Sequence, residues 1–489
     1  MRATGLLLLA SVLSAEDLIE LRPLPLRLRS SAEIIDLAGN EQMGLAGLHL
    51  DLLEPTPIAG LYAGLGGYGA AGGDRGGLFV LGASLGWRSP SWQGLRLDAN
   101  GFAGGGGGAS AGQGGGLMLR GELMATLGLG SWDLAAGFAR SEFPDGTIAS
   151  SGWTVGLHHL LEGTLAAPWR GAAAPATVLT WERWSIAPHY LAYLPSDDDR
   201  GRNGAALARR LDLVGIALEH HLDRHWRLPI QASGALGGGA AGYMEVLSGL
   251  VWRPVVIGGL HLDARLLAGL GGGGNIDTGG GFIARPELGL ALDLGSAFSL
   301  GARAGWVTTL DGDFDGTALT GELRWNTQHL ALASGSTRAT LPAAASELTR
   351  WRVVIGDAWY DVRSSAAADI HLVGLAVERP LSPWLSLIGR GRSAWQGDAG
   401  GYSEGLFGMR LGSSWGRLAV ALQAQAGAGG GGGLATGNGV IGDLQLTTRL
   451  RLSETLALHL GGGRVEAHDG DFSANVLEAG LVWSCAVAR

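Results

Sequence analysis

The chain has 489 residues, 16% of them charged, and a net charge of −9, a balance that argues against nucleic acid, whose binding needs basic patches. Its 87 glycines stand beside 17 tryptophans, too much apolar surface for a disordered glycine-rich linker, and a single cysteine, Cys485, excludes a disulfide framework. Past the first positions no run of about eighteen apolar residues occurs, so membrane-spanning helices are excluded as well.

In chain order, the opening MRATGLLLLASVLSAEDL carries one Arg, a short apolar run and small residues before Glu16, which predicts a secretory signal peptide over residues 1–15. Strands follow. Between Leu117 and Leu129, Leu117, Leu119, Leu123, Leu127 and Leu129 fall on one face, and Met118, Arg120, Glu122, Met124 and Thr126 on the other. Period two held this long exceeds the five or six residues usual in soluble sheets and suits a tilted membrane crossing of about 9 to 11 residues. Eight such strands are predicted before residue 160, near 26–37, 44–53, 58–68, 78–87, 94–104, 117–128, 132–143 and 147–159.

The pattern then returns. LRLDANGFAGGGGG with GGGLMLRGELMATLGLG from Gly114 reappears as HLDARLLAGLGGGG with GGGFIARPELGLALDLG, the latter offset by 165 residues, and as VALQAQAGAGGGGG with GNGVIGDLQLTTRLRLS, the latter a further 158 on. This reads as a tandem triplication, with β-barrel repeats at 16–160, 178–330 and 350–489 joined by Ala/Pro-rich linkers at 161–177 and 331–349. The fold class is therefore all-β, a transmembrane antiparallel β-barrel of about 24 strands. One wide barrel is the expectation. Three tandem eight-stranded barrels are the alternative, favoured by the length of the linkers and the small inward residues. Connections alternate between short ones with Pro, Trp or Ser and longer ones rich in Gly or Asp. Trp87, Trp92, Trp132, Trp226, Trp384 and Trp415 cluster at the short-turn rim, where an aromatic girdle belongs.

Inward-facing polar residues are the candidate working groups: Arg120 with Glu122, Arg285 with Glu287, and in the third copy Asp443 with Gln445. Facing water they would set the selectivity of a pore; in a narrow barrel they would pair and plug it. DGDFDGTALTGE matches a calcium loop, with Asp311, Asp313, Asp315 and Glu322 as oxygen ligands, but its flanks alternate as strands where that loop needs helices, which favours a solvated Asp-Gly hairpin turn. Apart from Ca²⁺ there, no cofactor is expected. The glycine clusters at 104–108, 271–274 and 429–433 lack a following Gly-Lys-Ser/Thr, so close backbone approach explains them better than phosphate binding. Adjacent histidines, His158 with His159 and His220 with His221, point to opposite faces of a strand and cannot chelate by adjacency. No Ser, His and acid constellation supports catalysis.

Signal peptide, two-residue periodicity and loop asymmetry together resemble a bacterial outer-membrane β-barrel protein over the whole mature chain. That resemblance implies the cell outer membrane of a Gram-negative bacterium, with lipid and lipopolysaccharide around the barrel and the barrel-assembly machinery as a partner. The tail WSCAVAR departs from it, because Trp483 is followed by six residues where such proteins commonly end on an aromatic residue read by that machinery. The expected role is a porin-like passive channel for small polar solutes or a structural membrane component. Alternatives are an envelope or surface binding protein acting through its loops, and a lipid-modifying barrel enzyme.

Overall fold

The computed structural model describes residues 18–489 except 57, 170, 172, 175–177, 334, 344–345 and 364–368; the predicted signal peptide, 1–15, lies outside the described residues. The described residues are all-β, with a short 3-10 turn at Ala38–Asn40. The first strands are β1 (Leu18–Asp36), β2 (Gln42–Leu53), β3 (Leu61–Gly72), β4 (Phe79–Arg88), β5 (Leu95–Gly107), β6 (Leu117–Leu129), β7 (Trp132–Glu142) and β8 (Ala149–Trp169). Each pairs antiparallel with the next, and β8 returns onto β1 from Leu18↔Trp169 to Glu33↔Thr154, which closes an eight-stranded barrel.

Strands β9 (Leu179–Pro195), β10 (Leu211–His221), β11 (Trp226–Ala235), β12 (Met244–Trp252), the three-residue β13 (Val255–Ile257), β14 (Leu260–Gly272), β15 (Phe282–Leu294), β16 (Phe298–Thr309) and β17 (Asp315–Leu332) come next. Here β12 pairs with β14, and β17 returns onto β9 from Gly316↔Pro195 to Leu332↔Leu179. A short β18 (Ala339–Pro342) lies against β1. The last strands are β19 (Leu348–Val362), β20 (Ile370–Pro380), β21 (Leu385–Gln396), β22 (Ser403–Trp415), β23 (Leu418–Gly430), β24 (Val440–Arg451), β25 (Leu456–Ala467) and β26 (Ser473–Ala488), and β26 returns onto β19 from Leu348↔Ala488 to Val362↔Ala474.

These pairings correct the single wide barrel expected from the sequence. That closure needs β8 on β9 and β17 on β19, and among the described residues neither pair forms; Leu330↔Ala488 is the one strand bridge from β17 to β26. The physical reason is edge satisfaction. Eight tilted strands already bring the free edge of β8 back onto β1, which leaves no unpaired edge for β9 to join.

The linkers are also shorter than the sequence suggested. Residues 161–169 continue β8, 331–332 end β17, 339–342 form β18, and 348–349 begin β19. First and last strands of each ring thus overrun their neighbours and gather in a shared stem. Ile19, Leu21, Ala166, Ala339 and Ala488 are buried there against Leu179, Leu330, Leu332, Leu341 and Leu348. The residues after Trp483 belong to this stem, since Ser484 to Ala488 pair with Arg352 to Leu348.

Alternation along the strands sorts side chains between wall and interior. On β6, Leu119, Leu123, Leu127 and Leu129 are 43 to 58% exposed, while Met118, Arg120, Glu122, Met124 and Thr126 are buried inside. Pro286, which has no amide hydrogen, leaves a gap in the β15–β16 ladder without shifting it: Ala284↔Thr308 and Glu287↔Gly305 keep one register.

At the rim far from the stem the rings meet glycine to glycine. The Gly76 amide donates to the Gly279 carbonyl at 2.7 Å, and the Gln113 side-chain amide donates to the Gly400 carbonyl at 3.0 Å. A Cβ on Gly280 would lie 2.3 Å from Gly72 Cα, one on Gly400 1.9 Å from the Gly114 oxygen, and one on Gly430 2.5 Å from the Gly242 nitrogen. Close backbone approach is therefore what glycine supplies at this rim.

Candidate functional site

The barrel interiors hold the chemistry, in two layers. Toward the far rim each ring has an apolar plug built partly by its loops. In the first, Ile35, Met43, Tyr68, Leu78, Val80, Phe102 and Phe143 pack together; in the second, Tyr193, Leu213, Tyr243, Ile276 and Phe314; in the third, Tyr360, Leu372, Tyr402, Leu434 and Phe472. Below each plug lies a network of ion pairs.

In the first ring, Arg120 meets Glu122 at 3.2 Å, also pairs with Glu33, and donates to Ser141 at 2.9 Å. Arg29 bridges Glu122 and Asp51, and Arg27 bridges Asp51 and Asp98 with its guanidinium 4.3 Å from the centre of the Tyr62 ring. In the second, Arg285 has no exposed surface; it donates to Glu245 at 2.5 Å and to Tyr193 at 2.6 Å, with Glu287 3.4 Å away. Glu287 accepts from Thr320 at 2.6 Å and from Arg303 at 3.2 Å. Deeper, Arg265 and Arg324 are each shared among Glu219, Asp263 and Glu322.

In the third ring Asp443 accepts from Gln445 at 2.9 Å and from Arg390 at 3.1 Å. Where the sixth strand of the other rings has Arg120 or Arg285 it here has Asp443, and the third strand supplies the positive charge at that level, because Arg390 and Arg392 reach Asp443, Glu404 and Glu478. All six predicted inward residues are thus interior, and each is partnered there. At spacings near 3 Å and with almost no exposed surface, these side chains fill the bore as close-packed pairs.

Sequence reasoning missed the tyrosine–glutamate layer. Tyr193 and Tyr243 both donate to Glu245, and at matching positions Tyr360 and Tyr402 donate to Glu404. The repeated segments GYMEVL and GYSEGL, from Gly242 and Gly401, were the available signal.

The calcium-loop residues do not converge. Asp311 accepts the Gly280 amide at 3.0 Å, and Asp315 accepts the Ser196 hydroxyl. Glu322 lies seven residues along β17 from Asp315, roughly 23 Å at the usual strand rise of about 3.3 Å, inside the Arg265 and Arg324 network. Asp199, which sequence analysis passed over, joins this corner from the 196–210 loop. Burial lifts its carboxyl above the ordinary value, with like charge on Asp315 and Asp313 adding to the rise and the Asp315 and Ser196 amides opposing it.

The histidine pairs split as a pleat requires: His158 is buried inside while His159 stacks on Trp132, and His220 packs on Trp184 while His221 contacts Ser185 at 2.6 Å. Ser185 is fully buried and also lies 2.9 Å from the Asn326 side-chain oxygen. The tryptophans predicted for the girdle, Trp87, Trp92, Trp132, Trp226, Trp384 and Trp415, are all exposed, on the stem side of the rings.

No family model matches the chain, and no curated protein matches it. Among solved structures it is similar to OpdL of Pseudomonas aeruginosa at 11% identity and a TM-score of 0.22, covering 96% of this chain and 98% of that one. Another is OccK11 of Pseudomonas aeruginosa, at 13% identity and 0.19, covering 96% of each chain. The siderophore receptor PirA of Pseudomonas aeruginosa follows at 12% and 0.25, covering 96% of this chain and 80% of that one.

Proposed function

We propose that this is an outer-membrane protein made of three tandem β-barrels with closed bores, working as a structural membrane component that presents its loops, and that it does not act as an open channel. The observation that carries the membrane reading is the inversion of the usual arrangement. Arg, Glu and Asp fill the interior while Leu and Trp stand on the outer wall, which water would disfavour and a bilayer satisfies. On this reading lipid and lipopolysaccharide surround the wall, the barrel-assembly machinery inserts the chain, and the exposed tryptophans sit in the headgroup layer.

Closure is supported by the layering: in each ring buried ion pairs cross the interior beneath an apolar plug. On this reading the role is non-catalytic; the serine–histidine contacts of the second ring, Ser185 with His221 and Ser233 with His189, place both serines in the buried interior. Single-channel recording of the refolded mature chain in a planar bilayer tests the proposal. Silence together with heat-modifiable gel migration is expected; regular current steps would restore the passive channel.

A further inference from the structure

The contacts at the far rim have a direction. In every case the segment after the fifth strand of one ring meets the segment after the third strand of another. The β5–β6 loop at Gly114 meets the β21–β22 loop at Gly400; the β14–β15 loop at Gly280 meets the end of β3 at Gly72; and Gly430, ending β23, meets Gly242 in the β11–β12 loop. The first ring thus docks on the third, the third on the second, and the second on the first. A repeated head-to-tail contact either runs on as a fibre or closes, and this one closes after three.

Each seam brings glycine backbone against backbone, with Trp395, Leu270 and Ala428 side chains close to glycines of the facing ring. One polar pin is added at two of them: Gln113 to the Gly400 carbonyl, and Arg202 from the 196–210 loop to the Gly76 carbonyl at 3.5 Å and to the Asp74 carbonyl. Glycines that let two backbones touch are a common way for membrane-embedded elements to associate where the hydrophobic effect gives no help.

We infer that the chain is a tethered trimer: the three glycine seams are interaction surfaces whose fitting partner is another copy of the same eight-stranded unit, and they hold the ring together independently of the linkers. The inference does not depend on the bores being closed. It also explains why glycine clusters recur at 104–108, 271–274 and 429–433 when the inward residues vary between copies.

The test is made on the full chain, refolded in detergent, with recognition sites for a specific protease placed at residues 173–174 and 335–337. After cutting, the wild-type seams should keep the three pieces together, eluting at the volume of the uncut protein and separating only on heating. The companion variant carries Gly280→Val, Gly400→Val and Gly430→Val, one substitution per seam, at glycines whose backbone angles a branched residue can adopt. Uncut, it should keep heat-modifiable migration; cut, it should come apart into three species. Gly121→Val, where an added Cβ meets nothing within 4 Å, should leave the cut protein assembled.

Separation of the wild-type pieces on cutting would overturn the inference, as linkers alone would then hold the ring. Persistence of the cut triple variant would also overturn it, by assigning the association to the stem. Loss of heat-modifiable migration in the uncut wild type would instead count against the barrel reading itself.

Discussion

The interiors of the first and second rings solve one packing problem with opposite chemistry. At matching positions the first has Ile35, Leu78 and Val80 where the second has Tyr193, Tyr243 and Glu245, and Arg285 completes the polar set. Both sets are buried, and both sit inside the same eight-stranded shell closed by its first and last strands. The shell therefore tolerates either filling so long as volume is matched and every buried charge has a partner. What it does not tolerate is half of the polar set.

The largest effect follows from that asymmetry. Glu245→Ala strands Arg285 beside two tyrosines and should cost about 3–5 kcal/mol, read as a lower urea midpoint for unfolding from lipid vesicles. A loss under about 1 kcal/mol would mean that Glu287 alone satisfies Arg285 and that the layers are less distinct than their chemistry suggests. The outer wall makes the same comparison across the sheet: Leu123→Arg, in the middle of β6, should cost about 2–4 kcal/mol in a bilayer, and Leu129→Arg at the rim about 0–1. Equal costs at the two positions would remove the membrane from the picture.

Removing the buried pair whole should be gentler than breaking it. Glu245→Val combined with Arg285→Met is expected to be neutral or to stabilise by about 1–4 kcal/mol in the same unfolding assay, since both charges leave together. Ile35→Val in the first ring should cost only about 0.5–1.5 kcal/mol. A larger loss there would show that the apolar plug is the more exacting of the two fillings.

The smallest effect concerns the 196–210 loop, which has no equal in the first ring. Because the Asp199 carboxyl is lifted above its ordinary value by burial, the folded loop holds that proton more tightly than the unfolded chain does. The stabilising contribution is present below the unfolded value of about 3.9 and fades as pH rises through the lifted one. Proteolytic nicking of this loop should increase across that window in the wild type and stay flat in Asp199→Asn.

Much of the local architecture can be read from the residues. Period-two alternation in LMLRGELMATLGL places Arg120 and Glu122 inside and the leucines outside, and the predicted 117–128 strand differs from β6 by one residue. The same reading stops short at 159, whereas β8 runs to Trp169, because the stem strands lack the clean alternation of a wall with two different solvents. Glu322 shows the opposite failure: a motif correct in spacing is overridden because β17 stays extended and carries the residue away from its aspartates.

What the sequence determined by itself is which segments are strands and which face of each is greasy, since alternation is a property of neighbouring residues. What only the tertiary structure decided is which edge meets which. That β8 closes on β1, that Arg392 of the third strand pairs with Asp443 of the sixth, and that Gly400 lies against Gly114 all depend on contacts between residues far apart in the chain. Strand tilt and ring radius bring those residues together, and no local pattern encodes them.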